Sequence, residues 1–192
     1  MMPKNPVRLW TIGHSTRSWP EFLELLRANE IELLADIRRF PGSRKYPHFG
    51  ADAMRAALAE VGLGYEHLPE LGGRRKVQPD SHNDNWRSAA FRGYADYMET
   101  PLFADGIARL RELASARRTA IMCSEAVWWR CHRGLVADFL KARGDEVVHI
   151  ISEHSNAVHP YTSAARLVNG RLSYAANAGE DAREKETHVT DQ

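Results

Sequence analysis

The chain holds 192 residues, 43% of them apolar and 27% charged, with 26 Lys and Arg against 25 Asp and Glu for a net charge of +1. That length fits one compact domain with its own core, and the composition excludes intrinsic disorder as the main state. No apolar run approaches the roughly 20 residues that span a bilayer, the N-terminus lacks the apolar stretch of a secretory signal, and two cysteines cannot build a disulfide framework, so the expected compartment is the reducing cytoplasm.

Residues 7–12 (VRLWTI) read as a strand ending at Gly13-His14-Ser15. Ser18-Trp19-Pro20-Glu21 then forms a capping box, with Ser18 as N-cap, Pro20 in the first helical turn and Glu21 at N3. Phe22, Leu25 and Leu26 follow at helical spacing, with a stop near Asn29. Residues 31–37 (IELLADI) predict a second strand, ending in Asp36-Ile37-Arg38-Arg39. A Pro/Gly-rich loop over 40–50 leads to a helix over 51–61, closed by Gly62. Residues 65–68 predict a short third strand that runs into Leu71-Gly72-Gly73-Arg74. The polar segment 74–88 reads as a mobile loop and 91–98 as helix. Thr100-Pro101 opens a further helix with the stripe Phe103, Ile107, Leu110 and Ala114.

Residues 119–123 (TAIMC) predict a buried fourth strand. A turn over 124–129 leads to a helix over 130–143, stopped by Gly144. Residues 146–151 predict a fifth strand, and Asn169-Gly170 between 166–168 and 171–174 is the sequence of a type I′ hairpin. The end, 176–192, is expected to be a disordered acidic tail, with five acids against two bases from Glu180 onward.

Strands alternating with helices predict a Rossmann-like three-layer α/β fold: a mostly parallel sheet of about five strands plus a C-terminal hairpin, in one domain over 1–175. In such sheets ligands bind beyond the carboxyl ends of the strands, where strand order reverses. The residues just past the predicted strand ends are His14 and Ser15; Asp36, Arg38 and Arg39; Gly72, Gly73 and Arg74; and Cys123, Ser124 and Glu125. All are polar, charged or glycine, and the fold would gather them on one rim.

Cys131-His132-Arg133 falls in the first predicted turn of the next helix, where the dipole lowers a thiol pKa. Cys123 is a candidate nucleophile or metal ligand. His132 and Glu125 are candidate proton carriers, and His14 is a further catalytic or anion-binding candidate. Cys131 also shares a helical face with Leu135 and Phe139, which favours a core role, and Cys123 at a strand end suits buried packing equally well. Arg38, Arg44 and Arg133 are candidate anion clamps, and Asp36 sits two residues from Arg38 on one side of a strand. Ser15, Asp36, Gly72, Gly73 and Arg74 complete the candidate substrate-binding set.

Cys123, Cys131 and His132 are also a candidate set for a divalent metal, zinc or iron, with His14 as a possible fourth ligand. There is no Cys-x-x-Cys redox motif. Six residues separate Cys123 from Arg130, against five in the loop of cysteine phosphatases. His149 reads as a satisfied core histidine. Trp128-Trp129 reads as packing under the turn, with base stacking as the alternative. The basic clusters 38–48 and 74–76 offer local positive fields despite the small net charge.

The chain resembles the bacterial and archaeal family known as domain of unknown function 488. The likeness runs through Thr11-Ile12-Gly13-His14-Ser15, Asp36-Ile37-Arg38, Pro41/Ser43-Arg44, Tyr65-Glu66-His67-Leu68, Leu71-Gly72-Gly73 and Phe91-Arg92-x-Tyr94. It continues through Cys123-x-Glu125, Cys131-His132-Arg133, Val148-His149-Ile150, His159-Pro160-Tyr161-Thr162 and Gly170 to Tyr174. The resemblance implies an α/β fold and a shared site on these polar positions, and no known reaction.

Three functional readings follow. The first is a Cys/His/Arg site that binds or processes a phosphate-bearing ligand, a nucleotide or a nucleic-acid component. The second is a metal-binding or thiol redox-sensing module without turnover. The third is an accessory domain that binds nucleic acid through its basic clusters. No membrane partner is expected.

Overall fold

The computed structural model describes residues 5–42 and 44–177. Along the chain run β1 (Arg8–Gly13), α1 (Trp19–Ala28), β2 (Leu33–Asp36), α2 (Ala51–Glu60), β3 (Gly64–His67), α3 (Ala89–Tyr97), α4 (Pro101–Ala116), β4 (Thr119–Cys123), α5 (Arg133–Ala142), β5 (Glu146–Ser152), β6 (Ser155–Val158) and the hairpin β7 (Arg166–Val168) and β8 (Arg171–Ser173). The helix starts obey local chemistry. The Ser18 hydroxyl accepts from the Glu21 amide while the Glu21 carboxylate accepts from the Ser18 amide. The Thr100 hydroxyl accepts from the Phe103 amide, with Pro101 at the first position. At the hairpin, Asn169 and Gly170 have φ of 50° and 74°, the two positive values that a type I′ turn demands.

The sheet has six strands in the order β3-β2-β4-β1-β5-β6. The first five are parallel, and β6 returns antiparallel on β5. The fold is therefore the expected α/β class with one strand more than predicted. Residues 155–158 carry no apolar alternation, and all but Ala157 are exposed, so nothing in the sequence marks β6 as a strand.

Strand order fixes where the site lies. The connections through α1 and α2 carry the chain towards β3, and those through α3–α4 and α5 carry it back. Right-handed crossovers therefore put the two sets on opposite faces. The cores agree. Trp10, Ile12, Leu34, Ala120 and Met122 pack with Phe22, Leu26, Met54 and Leu58 on one side. Leu9, Leu33, Ala35, Ile121 and Cys123 pack with Tyr94, Phe103, Leu110, Leu135 and Leu140 on the other. The helix after β4 leaves by one face, and those after its neighbours β1 and β2 leave by the other. A crevice must open around the carboxyl end of β4.

Two expectations change in detail. Helix α5 begins at Arg133 rather than near residue 130, because residues 128–130 form a separate 3-10 turn. Segment 74–88 lacks helix and strand, as expected, but it is pinned rather than loose: the Asp96 carboxylate accepts from the Gln78 amide, the Ser81 hydroxyl and Asn83 Nδ2. The predicted acidic tail lies outside the described residues from 178 onward. Among the described residues, no helix is long and apolar enough to cross a membrane.

Candidate functional site

A cleft of about 330 Å³ opens at the carboxyl ends of β2 and β4, lined by Arg38, Arg39, Gly73, Arg74, Cys123 and His132 among others. A second of about 350 Å³ adjoins it over β1, with His14, Ser15 and Lys45 in its wall. The two share Arg38, Phe40, Arg74 and Ser124. Loops from four distant parts of the chain thus meet at one rim, as the strand ends predict.

Glycine makes the meeting possible. A Cβ at Gly13 would stand 1.8 Å from the Glu125 carbonyl oxygen, and one at Gly73 would stand 2.9 Å from His132 Nδ1. Only a bare backbone lets the β4 loop cross β1 and lets the His132 ring lie on the chain after β3.

On the cleft floor the Cys123 and Cys131 sulfurs are 2.7 Å apart. Arg133 turns back from the start of α5 and donates from Nη1 to Cys123 Sγ at 3.2 Å and from Nη2 to the Ala126 carbonyl at 3.1 Å. This guanidinium is 2% exposed, and its Nε has no partner among the described residues. Arg38 and Arg111 pair with Asp36 and Asp145, but no carboxylate is within ion-pair distance of Arg133 among the described residues. A buried cation needs a buried anion, and the group in contact is Cys123.

The thiols respond accordingly. Burial raises the Cys123 pKa, but the hydrogen bond from Cys131 and the Arg133 charge outweigh it, and the net shift is downward. Burial and the neighbouring Cys123 hold Cys131 well above the usual thiol range. The two shifts run in opposite directions, so of the pair Cys123 is the sulfur that gives up its proton first. Cys131 is buried in the core cluster, but it precedes α5 in extended backbone and so does not share a helical face with Leu135 and Phe139 as expected, and its sulfur also faces the cleft.

His132 contacts the Ile37 carbonyl through Nε2 at 3.1 Å and Cys131 Sγ through Nδ1 at 3.5 Å. A carbonyl only accepts, so Nε2 carries the hydrogen and Nδ1 offers a lone pair to the thiol. Burial pushes the imidazole down to about 4, so it is neutral near pH 7.

His14 is placed differently. It is buried and stacked on Phe49 at 4.3 Å. By the same reasoning, Nδ1 donates to the Ser15 carbonyl and Nε2 accepts from Arg38 Nη1 at 3.4 Å. Burial, and then Arg38, push its pKa down to about 4. Both ring nitrogens of His14 are thus engaged, one of them with Arg38.

Arg38 is held in a bidentate grip by the fully buried Asp36, at 2.9 Å and 2.6 Å, and Tyr65 donates to the same carboxylate. Glu125 is exposed on the cleft wall, as are Arg39, Arg74 and Arg130. Arg44 is exposed and lines neither cleft, and Arg133 lies behind the sulfurs rather than in the opening. The sequence reading singled out neither Phe40 nor Lys45 by itself as a site residue, and gave Tyr94 and Arg130 no role; all four line these clefts. Phe40 follows directly on Arg38-Arg39, and that adjacency was the available signal.

The expected metal set is adjacent but not arranged for a cation. Among the described residues no group of three or more His, Cys, Asp or Glu side chains is placed to hold a metal ion. The cationic partner of Cys123 is Arg133, and His132 Nε2 is turned to the Ile37 carbonyl.

No curated protein and no solved structure matches the chain. The family described as Domain of unknown function DUF488 matches residues 18–140, a span that carries Asp36, Arg38, Gly73, both cysteines, His132 and Arg133; the chain belongs to this family.

Proposed function

We propose that the protein binds and processes a phosphate-bearing molecule in this cleft, with the Cys123 thiolate as nucleophile. One observation carries the reading: Cys123, with the Arg133 guanidinium donating to its sulfur, lies at the floor of a cleft whose wall holds Arg38, Arg39, Arg74 and Arg130 against the single acid Glu125. The Arg133 charge favours the thiolate, the form in which Cys123 attacks. Arg39, Arg74 and Arg130 hold the anion, together with whatever reach Arg38 keeps beyond Asp36. Glu125 and His132 are the proton carriers. Ser15, Gly72 and Gly73 bring backbone close to the ligand, while His14 and Asp36 fix Arg38.

The ligand's other half is a nucleobase, as in a nucleotide or a nucleic-acid strand. Phe40 lines both clefts, is 63% exposed and sits among the arginines, which suits stacking beneath a base. In a reducing cytoplasm both sulfurs stay available.

A thermal-shift panel of inorganic phosphate, nucleotides and short single-stranded DNA and RNA tests this reading. A binder at about 100 times its Kd adds about 2.7 kcal/mol of stability. The expected result is a shift by at least one nucleotide that salt weakens and that Arg74→Ala weakens about tenfold in affinity. No shift by any phosphate-bearing compound removes the reading.

A further inference from the structure

We infer that Cys123 and Cys131 form a reversible dithiol pair that reduces a hydroperoxide, Cys123 taking the oxidation and Cys131 resolving it as an internal disulfide. The inference rests on the Cys123 thiolate proposed above and is independent of the phosphate ligand.

Three features of the geometry point to it. The sulfurs are 2.7 Å apart, so closing an S–S bond needs no large backbone movement. Both line the cleft, so a small peroxide reaches them although the side chains are buried. The Arg133 guanidinium donates to Cys123 Sγ at 3.2 Å, which favours the reactive anionic form.

The chemistry closes with the groups present and one external oxidant. The Cys123 thiolate attacks one peroxide oxygen and the O–O bond breaks. The leaving alkoxide, or hydroxide from hydrogen peroxide, picks up a proton from solvent, and Cys123 becomes a sulfenic acid. The Cys131 sulfur then attacks Cys123 while its proton passes to the departing hydroxide: the S–S bond forms, the S–O bond breaks, and the hydroxide leaves as water. Overall, the dithiol loses two electrons and the peroxide becomes an alcohol, or water, plus one water.

The same arrangement makes the bond easy to reverse. A disulfide has no charge, so oxidation strips Arg133 of its anion and leaves a buried cation uncompensated. The reduced form is therefore favoured, and a simple thiol restores it.

The test treats the full chain with equimolar hydrogen peroxide at pH 7, then alkylates it in denaturant and reads intact mass. The expected result is loss of both alkylatable thiols, with a mass decrease of two hydrogens, and full return on adding dithiothreitol. Cys131→Ser should stop at a Cys123 sulfenic acid that dimedone captures, and Cys123→Ser should keep its remaining thiol. Two free thiols after peroxide, or a sulfinic acid on Cys123 without a crosslink, would overturn the inference in the unaltered protein, whatever the variants do. A disulfide without nucleotide binding leaves this inference standing and removes the ligand reading. Nucleotide binding without a disulfide does the reverse.

Discussion

Two of the buried polar clusters among the described residues differ in how fully their donors and acceptors are matched: one, around Asp138, is sealed, and the other, around Cys123, faces the cleft. In the sealed cluster, Asp138 is fully buried and accepts from His159 Nε2, the Thr162 amide, the Thr162 hydroxyl and the Tyr174 hydroxyl. His159 Nδ1 in turn accepts from His149 Nε2, and His149 Nδ1 accepts from the Thr11 hydroxyl. Every ring nitrogen has a partner, and one set of tautomers satisfies the whole chain of contacts. Trp128 covers it, its ring stacked on His149 at 4.4 Å. In the Cys123 cluster, among the described residues, no carboxylate pairs with Arg133 and its Nε has no partner, and Cys131 Sγ lies between Cys123 Sγ and His132 Nδ1. A satisfied network holds a fold together, and an unsatisfied one with an opening is where chemistry can occur.

The largest expected effect belongs to the sealed cluster. Asp138→Ala strands four donors in the core and should cost about 3–5 kcal/mol in urea denaturation. The rate of Cys123 alkylation in the folded fraction should not change. A loss under about 1 kcal/mol would mean that the cluster is not the clasp between α5 and the C-terminal segment.

The Asp138 cluster, the Cys123 cluster and the Asp36–Arg38 pair each lean on a neutral histidine, which gives the next effect. Burial holds His149 near 2, and His132 and His14 near 4, against an ordinary value of 6.5. The unfolded chain therefore binds protons first as pH falls, so stability is complete above about pH 6.5 and declines below it. The slope approaches about 1.4 kcal/mol per pH unit for each histidine, down to about pH 4 for His14 and further for His149. A urea midpoint that stays flat between pH 7 and pH 5 would break this account.

Much of the rim was legible in the sequence, because strand ends are marked by glycine and polar residues after apolar runs. His14, Arg38 and Cys123 line the clefts at the ends of β1, β2 and β4, while Gly73 reaches the cleft only after a 3-10 turn over 69–71 that follows β3, and Gly72 lines neither cleft. Roles were less legible than places. Nothing in a linear pattern tells that Arg133 turns inward to a sulfur while Arg74 turns outward, since both are simply arginines beside glycine or histidine. The proximity of Cys123 and Cys131 depends on a seven-residue loop folding over Gly13, a tertiary fact. His149 read correctly as a satisfied core histidine, but its partners Asp138 and His159 come from α5 and the segment after β6, and no local spacing links them.

A smaller effect sharpens the thiolate side of the comparison. Arg133→Met replaces a buried cation by an unbranched apolar chain of similar length, so stability should change little. Cys123 then loses its counter-charge and should return to the thiol form. Iodoacetamide alkylation of Cys123 at pH 7 should fall about tenfold for each unit that its pKa rises. An unchanged rate would show that Arg133 is not what holds the anion.

The smallest structural effect comes from Phe40→Ala. The ring is mostly in solvent, and its one close cationic neighbour is Arg39 at 5.3 Å, so stability should move by no more than about 0.5 kcal/mol. Affinity separates the possibilities. If Phe40 stacks a base, binding of a nucleotide should weaken by about 1 kcal/mol or more, while binding of inorganic phosphate stays the same. If both weaken together, Phe40 shapes the loop that carries Arg38 and Arg39 rather than touching a base. If neither weakens, the cleft recognises phosphate alone, and the ligand is defined by its charge rather than by a ring.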